Sequence, residues 1–269
     1  NRNFDARVLG AEVEGSWEPL PGLRFNFAGG WEDTKMAKGS KSVDLMDRTG
    51  GNEDWMVVKP FATQSSNCII PKYVIEALLR QEVQLSNLSG TNKVFACAHA
   101  YNQGFDPVTQ LPYSLTMPAK NAAGYTIPAG YKGFDPSTAP NNGEGFYKDL
   151  SGNELPNAPK FTTSIGAQYS MPVTEDWAAT LRGDFYWQDA SWARVFNDDP
   201  YDRIRGYSTV NLSLILTSQS GWQAMGFMKN VFNKTAITGT FLNSDDSGLT
   251  TNVFLTDPRL IGVRITKNW

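Results

Sequence analysis

No run of 18 or more apolar residues occurs in the 269-residue chain, so no transmembrane helix is available to it. There is one histidine, His99, and there are two cysteines, Cys68 and Cys97; a zinc site needs more ligands than these. Phosphate-cradling glycine loops, dinucleotide fingerprints and a nucleophile elbow are all missing. That leaves little to build an enzyme from, and neither catalytic residues nor a cofactor is expected. Positive charge is scarce as well. The net charge is -3, with no clustered basic face, which excludes a nucleic-acid partner. Nothing basic-then-apolar stands at Asn1, where NRNFDARVLGAEVEG already reads as a strand. Either a leader has been removed or this is a piece of a longer chain.

Aromatic residues are abundant: 8 Trp, 10 Tyr and 15 Phe. The mean hydropathy of -0.37 suits a soluble protein, yet a barrel strand exposes only every second residue to lipid. Period-two alternation recurs along the chain. Phe161, Ile165, Ala167, Tyr169 and Met171 oppose Thr162, Ser164, Gln168 and Ser170. Trp177, Leu181, Phe185 and Trp187 oppose Thr180, Arg182, Asp184 and Gln188. Val210, Leu212, Leu214 and Leu216 form a third stripe, and Ile261, Val263, Ile265 and Trp269 a last one that Lys267 interrupts. Near the start, Leu9, Ala11, Val13 and Trp17 oppose Glu12, Glu14 and Ser16, and Leu23, Phe25, Phe27 and Trp31 oppose Arg24 and Asn26. A segment from Trp222 to Asn230 has less clear faces.

These make about seven strands of a length that crosses a bilayer at a tilt. Short turns join Trp17 to Leu23, Met171 to Trp177 and Thr217 to Trp222, whereas the connections at about 33–158, 189–205 and 232–257 are long. Periplasmic turns and long extracellular loops are the layout of an outer-membrane barrel. Under it Trp17, Trp177, Trp222 and Trp269 fall at the turn ends of strands, as a membrane-interface belt, with Trp31 and Trp187 near the opposite rim. An odd set of strands cannot close without exposing edges, so the rest of the barrel is expected elsewhere. The long connection after the second strand should carry a short helix with Pro71 near its first turn and Val74, Ile75, Leu78 and Leu79 at helical spacing. It also carries an echo, GFDPVTQLP from Gly104 and GFDPSTAP from Gly133, that reads as two similar turns. Cys68 and Cys97 lie in a stretch rich in Gly, Asn and Ser; one disulfide pinning the loop is the first reading, two free thiols the other.

Three motifs in order, LPNAPKF at 155–161, NVFNK at 230–234 and DPRLIGVRITKNW at the end, resemble the closing strands of a TonB-dependent outer-membrane receptor. GAEVEGSWEPLPGLRFNFAGGW resembles an earlier strand pair of such barrels. Val231 and Asn233 depart from the usual leucine and acidic residue, as do Trp269 from the usual Phe and Lys267 from an apolar residue. The resemblance implies an all-β fold: about seven antiparallel strands, the C-terminal portion of a large transmembrane β-barrel whose plug is absent from this chain. It implies energised import of a scarce bulky nutrient, of the siderophore-iron, cobalamin or oligosaccharide class. The partners it implies are outer-membrane lipid, the rest of the barrel and its plug, the TonB energy-transducing complex, the outer-membrane assembly machinery and a small nutrient ligand.

For that ligand the candidate contacts are Trp192, Arg194, Phe196 and Arg203, aromatic faces and guanidinium groups suited to an anionic or hydroxyl-rich molecule. An ordinary solvated loop with paired charges competes with that reading. Glu12, Glu14, Arg24, Arg182 and Asp184 would face the lumen and pair with the plug or one another. Asp198, Asp199 and Asp202, or Asp245 and Asp246, lack EF-hand spacing, and no metal is expected. The alternatives in function are a passive porin or autotransporter-type barrel, a soluble carbohydrate-binding β-sandwich and, more distantly, an outer-membrane lipase or protease.

Overall fold

A computed structural model describes residues 3–59, 67–80, 105–122, 124–244 and 248–269. Cys97, His99, Gly104, Asp245 and Asp246 lie outside the described residues. In chain order the elements are β1 (Ala6–Leu20), β2 (Leu23–Met36), β3 (Lys41–Val43), β4 (Trp55–Val58), β5 (Cys68–Pro71), α1 (Lys72–Arg80), β6 (Tyr147–Asp149), β7 (Phe161–Pro172), β8 (Trp177–Gln188), β9 (Ser191–Trp192), β10 (Arg203–Ile204), β11 (Tyr207–Ser218), β12 (Trp222–Lys229), β13 (Ile237–Leu242), β14 (Thr251–Leu255) and β15 (Leu260–Lys267). They divide into two compact units: 1–40, 150–241 and 252–269 form the first, and 41–149 with 242–251 the second.

The first unit is a seven-stranded antiparallel sheet in the order β1-β2-β7-β8-β11-β12-β15. The expected all-β fold and the seven strands are therefore present. Pairing sets every period-two stripe level with its neighbour. Phe27 faces Ile165, Ile165 faces Phe185, Phe185 faces Val210, and Leu212 faces Met228, which faces Ile261. Since cross-strand partners share a face, one side of the sheet is apolar across all seven strands. Two glycines on strands are covered by aromatic rings from the next strand: a Cβ at Gly15 would collide with the Phe27 ring, and one at Gly262 with the Phe227 ring.

Register also resolves what the sequence left blurred. Trp222, Ala224, Gly226 and Met228 pair with Lys267, Ile265, Val263 and Ile261, so they belong to the apolar face, while Met225 and Phe227 lie on the other. Lys267 does not break the stripe. Its stem lies on the apolar face beside Trp222, and its ammonium sits 5.2 Å from the Trp222 ring and 5.8 Å from that of Trp269, donating to the Ser220 carbonyl. The long stem covers apolar surface while the charge reaches the rim.

The three short turns are tied to chain beyond their own hairpins. The Gly22 carbonyl accepts from Ser170 N at 2.8 Å, the Asp176 carbonyl from Gln219 N at 2.9 Å, and the Gly221 carbonyl from Asn268 N at 2.9 Å. Gly22 and Gly221 have φ of 81° and 88°, and a Cβ at either would strike the backbone docked against it, so glycine is required twice over.

The second unit has its own core of Ile70, Val74, Ala77, Val108, Ile127, Tyr131, Phe134 and Ala139. The helix forms where expected, but Leu79 points to solvent and Ala77 packs inward in its place. Cys68 is buried and disulfide-bonded. The sequence echo is a pair of similar turns: Asp106 Oδ1 accepts from Val108 N at 2.9 Å, and Asp135 Oδ1 from Ser137 N at 2.9 Å. Of these two aspartates, Asp106 is the fully buried one. It also accepts from Thr109 N (2.7 Å), Tyr131 Oη (2.7 Å) and Phe134 N (2.6 Å), which binds the two turns together. Burial and the Asp106 carboxylate push the Tyr131 hydroxyl well above its ordinary pKa.

Candidate functional site

At the loop end of the sheet, β9 and β10 pair as a short ribbon between β8 and β11, with Trp192 opposite Arg203. The four sequence candidates come together there. The Arg203 guanidinium lies 4.7 Å over the Trp192 ring, and that of Arg194 5.2 Å over Phe196. Their surroundings differ. Arg194 Nε donates to Asp202 Oδ1 at 2.6 Å, and the Asp202 side chain is 2% exposed. Asp202 Oδ2 accepts from Asp198 N. Arg194 thus has a structural task, neutralising a buried carboxylate, and Asp202 is already engaged by that cation. Arg203 is exposed.

Residues that the sequence reading passed over complete the cluster. Glu154 Oε2 accepts from Trp192 Nε1 at 3.0 Å, and its Oε1 from Lys160 Nζ at 2.8 Å. The carboxylate of Glu154 raises the Lys160 pKa by hydrogen bond and charge. Asn197 closes the arrangement: its Oδ1 accepts from Glu154 N at 2.7 Å, and its Nδ2 donates to the Glu154 and Arg194 carbonyls. Asn157 and Asn197 both have positive φ, which asparagine tolerates better than most residues. The asparagines in LPNAPKF and FNDDP were the available signal. The surface so made presents Arg203 on Trp192, the exposed Tyr201 ring and the Lys160 ammonium, an aromatic and cationic set able to take an anionic or hydroxyl-rich molecule.

The polar face of the sheet holds a second group. Arg182 makes a two-pronged pair with Asp184 (2.6 and 3.0 Å) and donates to Gln168 Oε1 at 3.0 Å. Among the described residues, Glu12, Glu14 and Arg24 have no ion-pair partner. Glu12 and Glu14 border a pocket of about 200 Å³ with Gly30, Thr162, Ser164 and Tyr186.

No family model and no curated protein matches the chain. Solved structures do. The chain is similar to the ferric yersiniabactin uptake receptor of Yersinia pestis, with 11% identity over 96% of this chain and 23% of that one, at a TM-score of 0.48. It is similar to a siderophore receptor of Acinetobacter baumannii, with 11% identity over 96% of this chain and 21% of that one, at 0.45. A ferric-catecholate import receptor of E. coli gives 10% identity over 96% and 25%, at 0.32. The chain spans less than a quarter of the length of the first two. What argues for a membrane wall is the register of its own sheet.

Proposed function

We propose that this chain is part of the wall of a bacterial outer-membrane barrel that imports a scarce bulky nutrient, energised through the TonB system. The observation that carries the membrane part is the apolar face, continuous over seven strands and flanked at the turn end by Trp17, Trp177 and Trp222. A soluble sandwich would cover such a face with a second sheet. Leu181, Leu214, Val263 and Ile265 are exposed among the described residues, and lipid is what would cover them. Trp269, fully exposed after β15, extends the belt.

The import part rests on the ordered motifs resembling TonB-dependent receptors and on the polar face. Glu12 and Glu14 offer two unspent carboxylates to cationic side chains of a plug, which an empty porin would leave facing water. Ligand capture falls to Trp192 and Arg203, with Lys160 and Tyr201 beside them. Arg194 and Phe196 support the loop from beneath. No covalent chemistry is assigned.

Uptake by cells of a radiolabelled iron chelate, with and without a protonophore, tests the reading. Uptake that stops when the proton gradient collapses supports energised import. Uptake that continues unchanged makes the barrel a passive pore. A full-length protein that stays in solution without detergent refutes the membrane assignment.

A further inference from the structure

The apolar face is not evenly filled. Around Gly29 in β2 it holds a notch of about 290 Å³ walled by Ala11, Val13, Trp31, Phe161 and Thr163. The backbone does not impose a glycine here. Gly29 has no positive φ, and a Cβ would meet Val13 Cγ1 at 3.7 Å and the Thr162 carbonyl at 3.8 Å, both ordinary contacts. Gly15, by contrast, is covered by Phe27. The space at residue 29 is thus a choice of sequence, one row below the Trp31–Phe161 pair, on the face that meets lipid.

Directly above it, towards the loop end and on the same face, stand two cations. Trp31 pairs with Ala11, Asp33 with Leu9 and Lys35 with Arg7. The Arg7 and Lys35 side chains converge on Asp33 at 3.6 and 3.3 Å, with one net positive charge left over, and are 62% and 49% exposed. From the Arg7–Lys35 pair down to the Val13–Gly29 pair is roughly 20 Å at ~3.3 Å per residue. That is within the reach of a phospholipid from its phosphate along an extended acyl chain.

Resting on the membrane reading above, we propose that this strip holds one phosphate-bearing lipid of the loop-side leaflet. The phosphate lies between Arg7 and Lys35, which Asp33 keeps side by side. Arginine supplies paired N–H donors matched to phosphate oxygens, and lysine a point charge. One acyl chain runs past Leu9 and Ala11 and settles in the notch at Gly29, beneath the paired Trp31 and Phe161 rings. A chain seated there packs against two rigid rings on its loop side and against Val13.

The experiment is native mass spectrometry of the full-length protein, extracted from its membrane in mild detergent. It is titrated with dipalmitoyl phosphatidic acid, with the matching diacylglycerol and with inorganic phosphate. Heat-modifiable gel mobility checks that each variant is folded. One phosphatidic acid should be retained. Arg7→Ala with Lys35→Ala should weaken retention by about fivefold per cation removed. Gly29→Leu, which fills the notch, should weaken it by about fourfold or more, the worth of a buried methylene. Gly226→Leu, on the same face with open space around it, should change nothing. Equal retention by wild type and all variants overturns the site, as does competition by inorganic phosphate as strong as by the lipid. A wild-type protein that needs no detergent overturns the membrane reading itself, before any lipid is added.

Discussion

Replacing Asp106 with Asn should loosen the second unit while leaving the seven-stranded sheet as it is. The Asp106 carboxylate is fully buried and takes four donors, two on each oxygen. Asparagine keeps one oxygen for the Val108 and Thr109 amides. It then turns an NH₂ towards Phe134 N–H and Tyr131 Oη. The hydroxyl can rotate to accept, but the amide cannot. One buried N–H left facing a donor costs about 3 kcal/mol, which is about a hundredfold in local opening. Asp106→Ala strands all four donors and should unfold the unit altogether. Hydrogen exchange followed by mass spectrometry on the detergent-solubilised protein reads this directly. Peptides carrying Val108, Thr109 and Phe134 should exchange about a hundredfold faster in Asp106→Asn, with peptides of β7 and β8 as the internal standard. Unchanged rates at those three amides in a folded Asp106→Asn protein would refute the reasoning.

Four other outcomes follow from the same geometry. The raised Tyr131 pKa keeps the folded hydroxyl protonated where the unfolded one, at 10.0, ionises; stability is whole below about pH 10 and falls as pH climbs past it. Exchange in the second unit should accelerate above that pH, and Tyr131→Phe should flatten the dependence. Leu214→Arg, on the apolar face near the middle of β11, should cost about 2–4 kcal/mol in refolding into bilayers, whereas Ser213→Arg on the polar face should cost far less. Arg194→Ala leaves Asp202 buried without its cation, worth about 3–5 kcal/mol, and thermal melting should show it. Arg203→Ala should leave that melting within ~0.5 kcal/mol and reduce ligand binding measured by calorimetry; normal binding would remove Arg203 from the site.

The wall was legible because its code is local. Phe161 to Met171 and Trp177 to Trp187 alternate cleanly, and the turns between strands are short. Where alternation failed, the cause was compensation from a neighbouring strand. Phe227 lies on the polar face over Gly262, and Gly226 sits on the apolar face, so the stripe of β12 is unreadable until β11 and β15 are laid beside it. The second unit was hidden for a different reason. One ribbon joins distant segments, β3 with β6, the other pairs β4 with β5, and strands of three or four residues carry no measurable period. At the ligand cluster the aromatic and guanidinium groups were visible, but which guanidinium was spent on a buried carboxylate depended on Asp202, eight residues from Arg194 and folded back on it.

The turn-end bonds from Gly22 to Ser170, Asp176 to Gln219 and Gly221 to Asn268 have a consequence for engineering. They link each turn to chain outside its own hairpin, so this rim behaves as a stitched hem rather than a row of separate loops. A tag inserted there would be felt two strands away as a pull on register, with every side chain beyond it at risk of changing faces. Grafted epitopes, cleavage sites and fluorophores belong at the opposite rim, away from the 192–203 ligand cluster, where the chain can lengthen without disturbing the wall.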